Sequence, residues 1–212
     1  MRTRIKICGL STDESVVAAL SSGADAIGFV FFPPSPRAIP AEKAAGLAER
    51  APHVLKVGVY VDPDDALLDA TVRTARLGAI QLQGAESAAR VAAVKARFGV
   101  PVWKAVGVKS AADIRAAERA FAGADSLLLD ARAPEGAVLP GGNGLRFDWR
   151  VLSQARPAMP WILAGGLTAQ TVAAAIQQTG APFVDVSSGV EDAPGVKNLA
   201  MIAAFVKAAR CA

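Results

Sequence analysis

Histidine is almost absent from this chain of 212 residues: His53 is the one example. Cysteine is nearly as scarce, with Cys8 and Cys211 near opposite ends. Two thiols so far apart do not make the disulfide framework of a small secreted domain. No window reaches about 18 uninterrupted apolar residues, so no membrane-spanning helix is expected. Arg2, Arg4 and Lys6 interrupt the first residues and no apolar core follows them, which argues against a signal peptide. The net charge is only +4, and its lysines and arginines are scattered, so no nucleic-acid footprint is expected. No group of His, Cys and carboxylates has metal-ligand spacing, and no metal is expected. What remains is a soluble, cytoplasmic protein with a mild positive field suited to a small anion.

What is present is a regular alternation. Short apolar runs recur as RIKIC (4–8), AIGFVFF (26–32), LKVGVYV (55–61), GAIQLQ (78–83), PVWKAV (101–106), SLLLDA (126–131), WILAGG (161–166) and FVDVSSG (183–189). Alanine-rich amphipathic stretches such as DESVVAALSSG and AADIRAAERAFAG separate them. Near-continuous apolar strands divided by helices are the pattern of a parallel sheet buried on both faces. Ser11 or Thr12, Ser110 and Thr168 are expected N-caps, and Gly23, Gly99, Gly123 and Gly180 expected helix stops. Eight units in 212 residues leave roughly 26 residues each. That predicts one (β/α)₈ TIM barrel domain over 1–212, α/β in class, at the small end of its size range. A doubly wound sheet is the competitor, but CGLSTDES after the first strand lacks its glycine fingerprint.

In such a barrel the active site sits at the C-terminal strand ends. Strand 1 ends at Cys8, which is either a small buried apolar residue or a reactive thiol. Lys6 shares its parity and, if inward, would favour the thiolate. Strand 2 leads into three prolines and Arg37, whose planar fork suits a carboxylate or phosphate. Strand 6 ends at Asp130, where an apolar strand should partly desolvate the carboxyl and raise its pKa. Gly165 and Gly166 after strand 7, with Ser188 and Gly189 after strand 8, occupy the usual phosphate slots of this fold. His53 precedes strand 3, away from the mouth. Acid–base chemistry there must draw on Cys8, Asp130 and perhaps Asp185.

Together KICGLST (6–12), GFVFFPPSPRAI (28–39), VGVYVDP (57–63), LLLDA (127–131), GGNGLRFDW (141–149), LAGGL (163–167), DVSSGVE (185–191) and PGVKN (194–198) resemble the phosphoribosylanthranilate isomerase family, in family order and over essentially the whole chain. The resemblance implies a cofactor-free Amadori rearrangement of a phosphosugar in tryptophan biosynthesis. It implies Asp130 as general acid, Cys8 thiolate as general base and Arg37 on the anthranilate carboxylate. Gly165, Gly166, Ser188 and Gly189 would hold the phosphate. A free-standing monomer is the default. Two positions depart from the family pattern: QLQG puts Gln83 where histidine is usual, and GGNG puts Asn143 where threonine is common. The related isomerase of histidine biosynthesis is the rival reading, but that family has aspartate where this chain has Cys8. A non-catalytic sensor with the same fold, or a redox role for Cys8, are the remaining alternatives.

Overall fold

The computed structural model describes residues 2–132, 141, 144 and 147–212; Asn143 lies outside them. Eight parallel strands close in chain order: β1 (Arg4–Cys8), β2 (Ala26–Val30), β3 (Leu55–Tyr60), β4 (Ala79–Leu82), β5 (Val102–Val108), β6 (Ser126–Ala131), β7 (Trp161–Leu163) and β8 (Phe183–Val186). Lys6 pairs with Ala26 on one side and with Asp185 on the other, which closes the ring. The helices outside are α1 (Asp13–Ser22), α2 (Ala41–Glu49), α3 (Asp65–Thr74), α4 (Ala88–Phe98), α5 (Ala111–Ala120), α6 (Val151–Gln154), α7 (Val172–Thr179) and α8 (Leu199–Arg210). A small antiparallel hairpin, β9 (Glu191–Ala193) and β10 (Val196–Lys197), precedes α8.

Strand alternation sorts side chains into two cores. On β1, Ile5 and Ile7 point outward and are fully buried against the helices. Each contributes roughly 1.5–3 kcal/mol by leaving water. Arg4, Lys6 and Cys8 share the inward parity. At the lower end, the Trp103 and Phe183 rings meet edge to face with centroids 5.6 Å apart, and Arg4 lies 4.6 Å from the Phe183 centroid. Leu128 and Ile162 fill the interior above them, and Cys8, Val30 and Val59 line the top.

The caps follow side-chain chemistry. Thr12 begins α1 by accepting from the Ser15 N–H, and Asp64, Ser87 and Asn198 do the same for α3, α4 and α8. Asp113 accepts from the backbone N–H groups of Lys109 and Ser110, completing the start of α5. Gly23, Gly99 and Gly180 end their helices in the left-handed conformation. Two expectations shift. Helix α5 is already capped at Phe121, so Gly123 lies beyond its end. Thr168 opens a turn, not α7: its carbonyl accepts from Thr171 and Val172, and the helix proper starts at Val172. Strand β2 also ends earlier than expected, at Val30, although the Phe31 N–H still donates to the Val59 carbonyl.

Candidate active site

An open cavity occupies the C-terminal mouth of the barrel. Cys8, Arg37, Asp130, Gly165, Gly166, Ser188 and Gly189 all line it. Seven residues chosen from strand ends far apart in sequence therefore meet in one place. His53 lies exposed in the turn before β3 and takes no part.

Beneath the mouth lies a charged layer. Lys6 is completely buried, with its Nζ donating to Asp185 Oδ1 at 3.0 Å and to Gln81 Oε1 at 2.8 Å. Burial opposes its charge, but attraction to the Asp185 carboxylate is the chief influence that favours the ammonium, and the amine is held above its ordinary range. Asp185 is thus committed to Lys6. Cys8 sits above, buried among Val30, Val59 and Phe32. Burial pushes its thiol up, and Lys6 and Lys197 pull it down without prevailing. Lys6 favours the thiolate, as expected, but desolvation is the larger effect and the thiol stays above its ordinary range. Alkylation by iodoacetamide should accordingly label exposed Cys211 first near neutrality. Labelling of Cys8 should rise only above the ordinary thiol range, as read by peptide mass spectrometry across pH. Equal labelling of both thiols at neutral pH would contradict a buried, protonated Cys8.

The loop after β2 delivers Arg37 to the mouth, but its fork is docked. Nε and Nη2 donate to Glu191 Oε1 and Oε2, each at 2.8 Å. Lys197 donates to the same carboxylate at 2.6 Å and to the Ser187 carbonyl at 2.9 Å. Burial works against the Glu191 charge, yet Arg37 and Lys197 hold the carboxyl below the usual range. Burial also lowers the Lys197 amine, against the pull of Glu191. Among the described residues this wall carries two cations for one carboxylate, a local bias toward an anionic ligand. The Ser187 hydroxyl bonds onward to the Cys8 carbonyl at 3.2 Å.

Asp130 is half-buried at the end of β6. Its Oδ1 accepts from the Ala131 N–H at 2.8 Å and its Oδ2 from Gln83 Nε2 at 3.4 Å. Gly165 and Gly166 have φ of 83° and 61°, conformations that favour glycine. At Gly165 a Cβ would also stand 2.8 Å from the Ala131 nitrogen, so a side chain there would push β7 away from Asp130. Ser188 opens a short 3₁₀ turn, Ser188–Val190, directly after β8. The glycine backbone and this turn face each other across the edge of the cavity.

Three polar residues of this site were not assigned a role from the sequence: Gln81, Glu191 and Lys197. Gln81 had a visible signal, a polar side chain on inward parity in the apolar strand AIQL. Glu191 and Lys197 lie in the motifs DVSSGVE and PGVKN, but nothing in those motifs places them on Arg37; the β9–β10 hairpin does.

A family model described as N-(5'phosphoribosyl)anthranilate (PRA) isomerase matches residues 5–208. The N-(5'-phosphoribosyl)anthranilate isomerase of Cereibacter sphaeroides is 54% identical over 208 residues, covering 98% of each chain. The crystal structure of phosphoribosyl anthranilate isomerase from Thermotoga maritima superposes with a TM-score of 0.87 at 35% identity, covering 99% of this chain and 100% of that one. A phosphoribosyl anthranilate isomerase in complex with reduced 1-(o-carboxyphenylamino)-1-deoxyribulose 5-phosphate superposes with a TM-score of 0.82 at 33% identity, with 99% and 100% covered. Barrel, mouth and sequence thus agree over the length of the chain, which belongs to the N-(5'-phosphoribosyl)anthranilate isomerase family.

Proposed function

We propose that this chain isomerises N-(5'-phosphoribosyl)anthranilate to 1-(2-carboxyphenylamino)-1-deoxyribulose 5-phosphate, a step of tryptophan biosynthesis, in the cytoplasm. The observation that carries the reading is the convergence of a carboxyl, a thiol, a cationic wall and a glycine–serine edge on one cavity. Asp130 protonates the ribose ring oxygen; the C1′–O bond breaks and the nitrogen lone pair forms the iminium. The Cys8 thiol loses its own proton to water at the open mouth, and the thiolate so formed removes the C2′ proton; the C–H electron pair becomes the C1′=C2′ bond as the iminium π pair returns to nitrogen. The enolamine tautomerises to the ketone. The iminium itself is the electron sink.

The state of Cys8 supports this order of steps. A buried thiol ionises reluctantly, and the positive charge that ring opening places on the substrate favours the thiolate that acts as base. Acid catalysis thus creates the condition for base catalysis. Gly165, Gly166, Ser188 and Gly189 hold the phosphate through backbone N–H groups and the hydroxyl. Arg37, steadied by Glu191, keeps the anthranilate carboxylate. Replacing Arg37 by alanine should raise KM about 10–100-fold with a smaller change in kcat, the range for losing hydrogen bonds to a charged group. An unchanged KM would remove Arg37 from substrate binding. We also take the monomer as the working state: the exposed large apolar side chains among the described residues are Val17, Val196 and Leu199, which form no broad face.

The test is direct. Freshly prepared N-(5'-phosphoribosyl)anthranilate is incubated with the protein, and loss of its fluorescence is followed against the spontaneous decay. Faster loss with protein supports the isomerase; loss at the spontaneous rate, with folded protein, rejects it.

A further inference from the structure

The interior of the barrel contains a one-way chain of hydrogen bonds between its deepest charge and Asp130. Lys6 is an ammonium and has only donors to offer, so the group facing it at 2.8 Å must be the Gln81 oxygen. That turns the Gln81 nitrogen toward Gln83, whose oxygen accepts it at 2.6 Å. The Gln83 nitrogen is then left to face Asp130 Oδ2 at 3.4 Å. The amide orientations are imposed by the ammonium, and both dipoles point their positive ends at Asp130. Lys6 is fully buried and Gln81 only 2% exposed, so water does little to screen the lower links. Gly141 packs over the last link, where a Cβ would collide with Gln83 Nε2 and stand 2.7 Å from Asp130 Oδ2.

We propose that Gln81 and Gln83 are positioning residues, a directional amide relay that presents the charge of Lys6 to Asp130. The proposal rests on Asp130 being the general acid. No proton travels along the relay, because neither amide titrates. It orients the carboxyl and stabilises the carboxylate left behind when Asp130 gives its proton to the ring oxygen. The final link, 3.4 Å, shortens as negative charge develops on Asp130. Lys6 also lies under Cys8, so a single ammonium supports both conjugate bases of the reaction, the carboxylate of the first step and the thiolate of the second.

The experiment is a set of steady-state kinetics on Gln81→Leu, Gln83→Leu, the double variant and Gln81→Glu, with Asp130→Asn alongside. Each should melt within a few degrees of the wild type. Either leucine variant should lower kcat about tenfold, the scale of one hydrogen bond to a charged group, with KM changed less than about twofold. The double variant should be no slower than the worse single, because a chain cut once is already cut. Gln81→Glu keeps size and the Lys6 contact but has no donor for Gln83, so it should match Gln81→Leu. Additive losses in the double variant, or full kcat in Gln81→Glu, would overturn the relay while leaving the isomerase reading intact. Failure of that reading looks different: wild type without turnover, or an Asp130→Asn variant with full turnover, removes the acid and the relay together.

Discussion

Cys8→Ser is expected to bind substrate as the wild type does and to lose about 10²–10⁴-fold in turnover, the range for removing a positioned acid–base group. The change is close to isosteric at a site enclosed by Val30, Val59 and Phe32, so packing should survive. The Cys8 carbonyl that accepts from Ser187 is backbone and is unaffected. What is lost is ionisation, because a hydroxyl gives up its proton far less readily than a thiol. Burial penalises the anion of either group, and Lys6 with Lys197 cannot offset the larger deficit of the alkoxide. The check is kcat and KM on fresh substrate, with titration of reduced 1-(o-carboxyphenylamino)-1-deoxyribulose 5-phosphate to report binding separately. Near-wild-type turnover with intact binding would return Cys8 to simple core packing.

Gly189→Ala should damage the glycine–serine edge of the same cavity. An added Cβ would overlap the Leu167 carbonyl oxygen and stand 3.2 Å from Val186 Cγ2. The obstacle is backbone, and Leu167 is itself buried, so no flexible side chain can swing away. The turn after β8 and the glycine loop after β7 are therefore held at a separation that only glycine permits. Forcing them apart should cost about 1–3 kcal/mol in stability, as overpacking does. It should also raise KM by an order of magnitude or more, about tenfold per 1.4 kcal/mol of lost phosphate binding. Inorganic phosphate should inhibit the variant correspondingly less well. Gly46→Ala in α2 is the matched control, since nothing lies within 4 Å of its added methyl. It should leave KM unchanged and, as Gly→Ala inside a helix, be neutral or stabilising. A Gly189→Ala protein with normal KM and phosphate inhibition would show that the two loops do not form the phosphate site.

Strand and helix positions were legible because they depend on near neighbours in the chain. RIKIC alternates inward and outward residues through backbone pleating alone, and Thr12 caps α1 through a partner three residues away. The candidate site was legible for a second reason: in a (β/α)₈ barrel every strand delivers its C-terminal end to the same mouth, so a linear list of strand ends is also a list of neighbours. Residues as distant as Cys8 and Gly189 could be grouped without any contact being known.

The sequence by itself determined which residues stand at the mouth of this barrel; the tertiary structure decided their charge states and partners. Arg37 meets Glu191 across 154 residues, Lys6 meets Asp185 across 179, and Lys6 reaches Gln81 across 75. The thiol of Cys8 is pushed up because closure of the ring buries it more effectively than Lys6 charges it. Desolvation and Coulomb attraction depend on distances across the closed barrel, and those distances are not properties of any local stretch of chain.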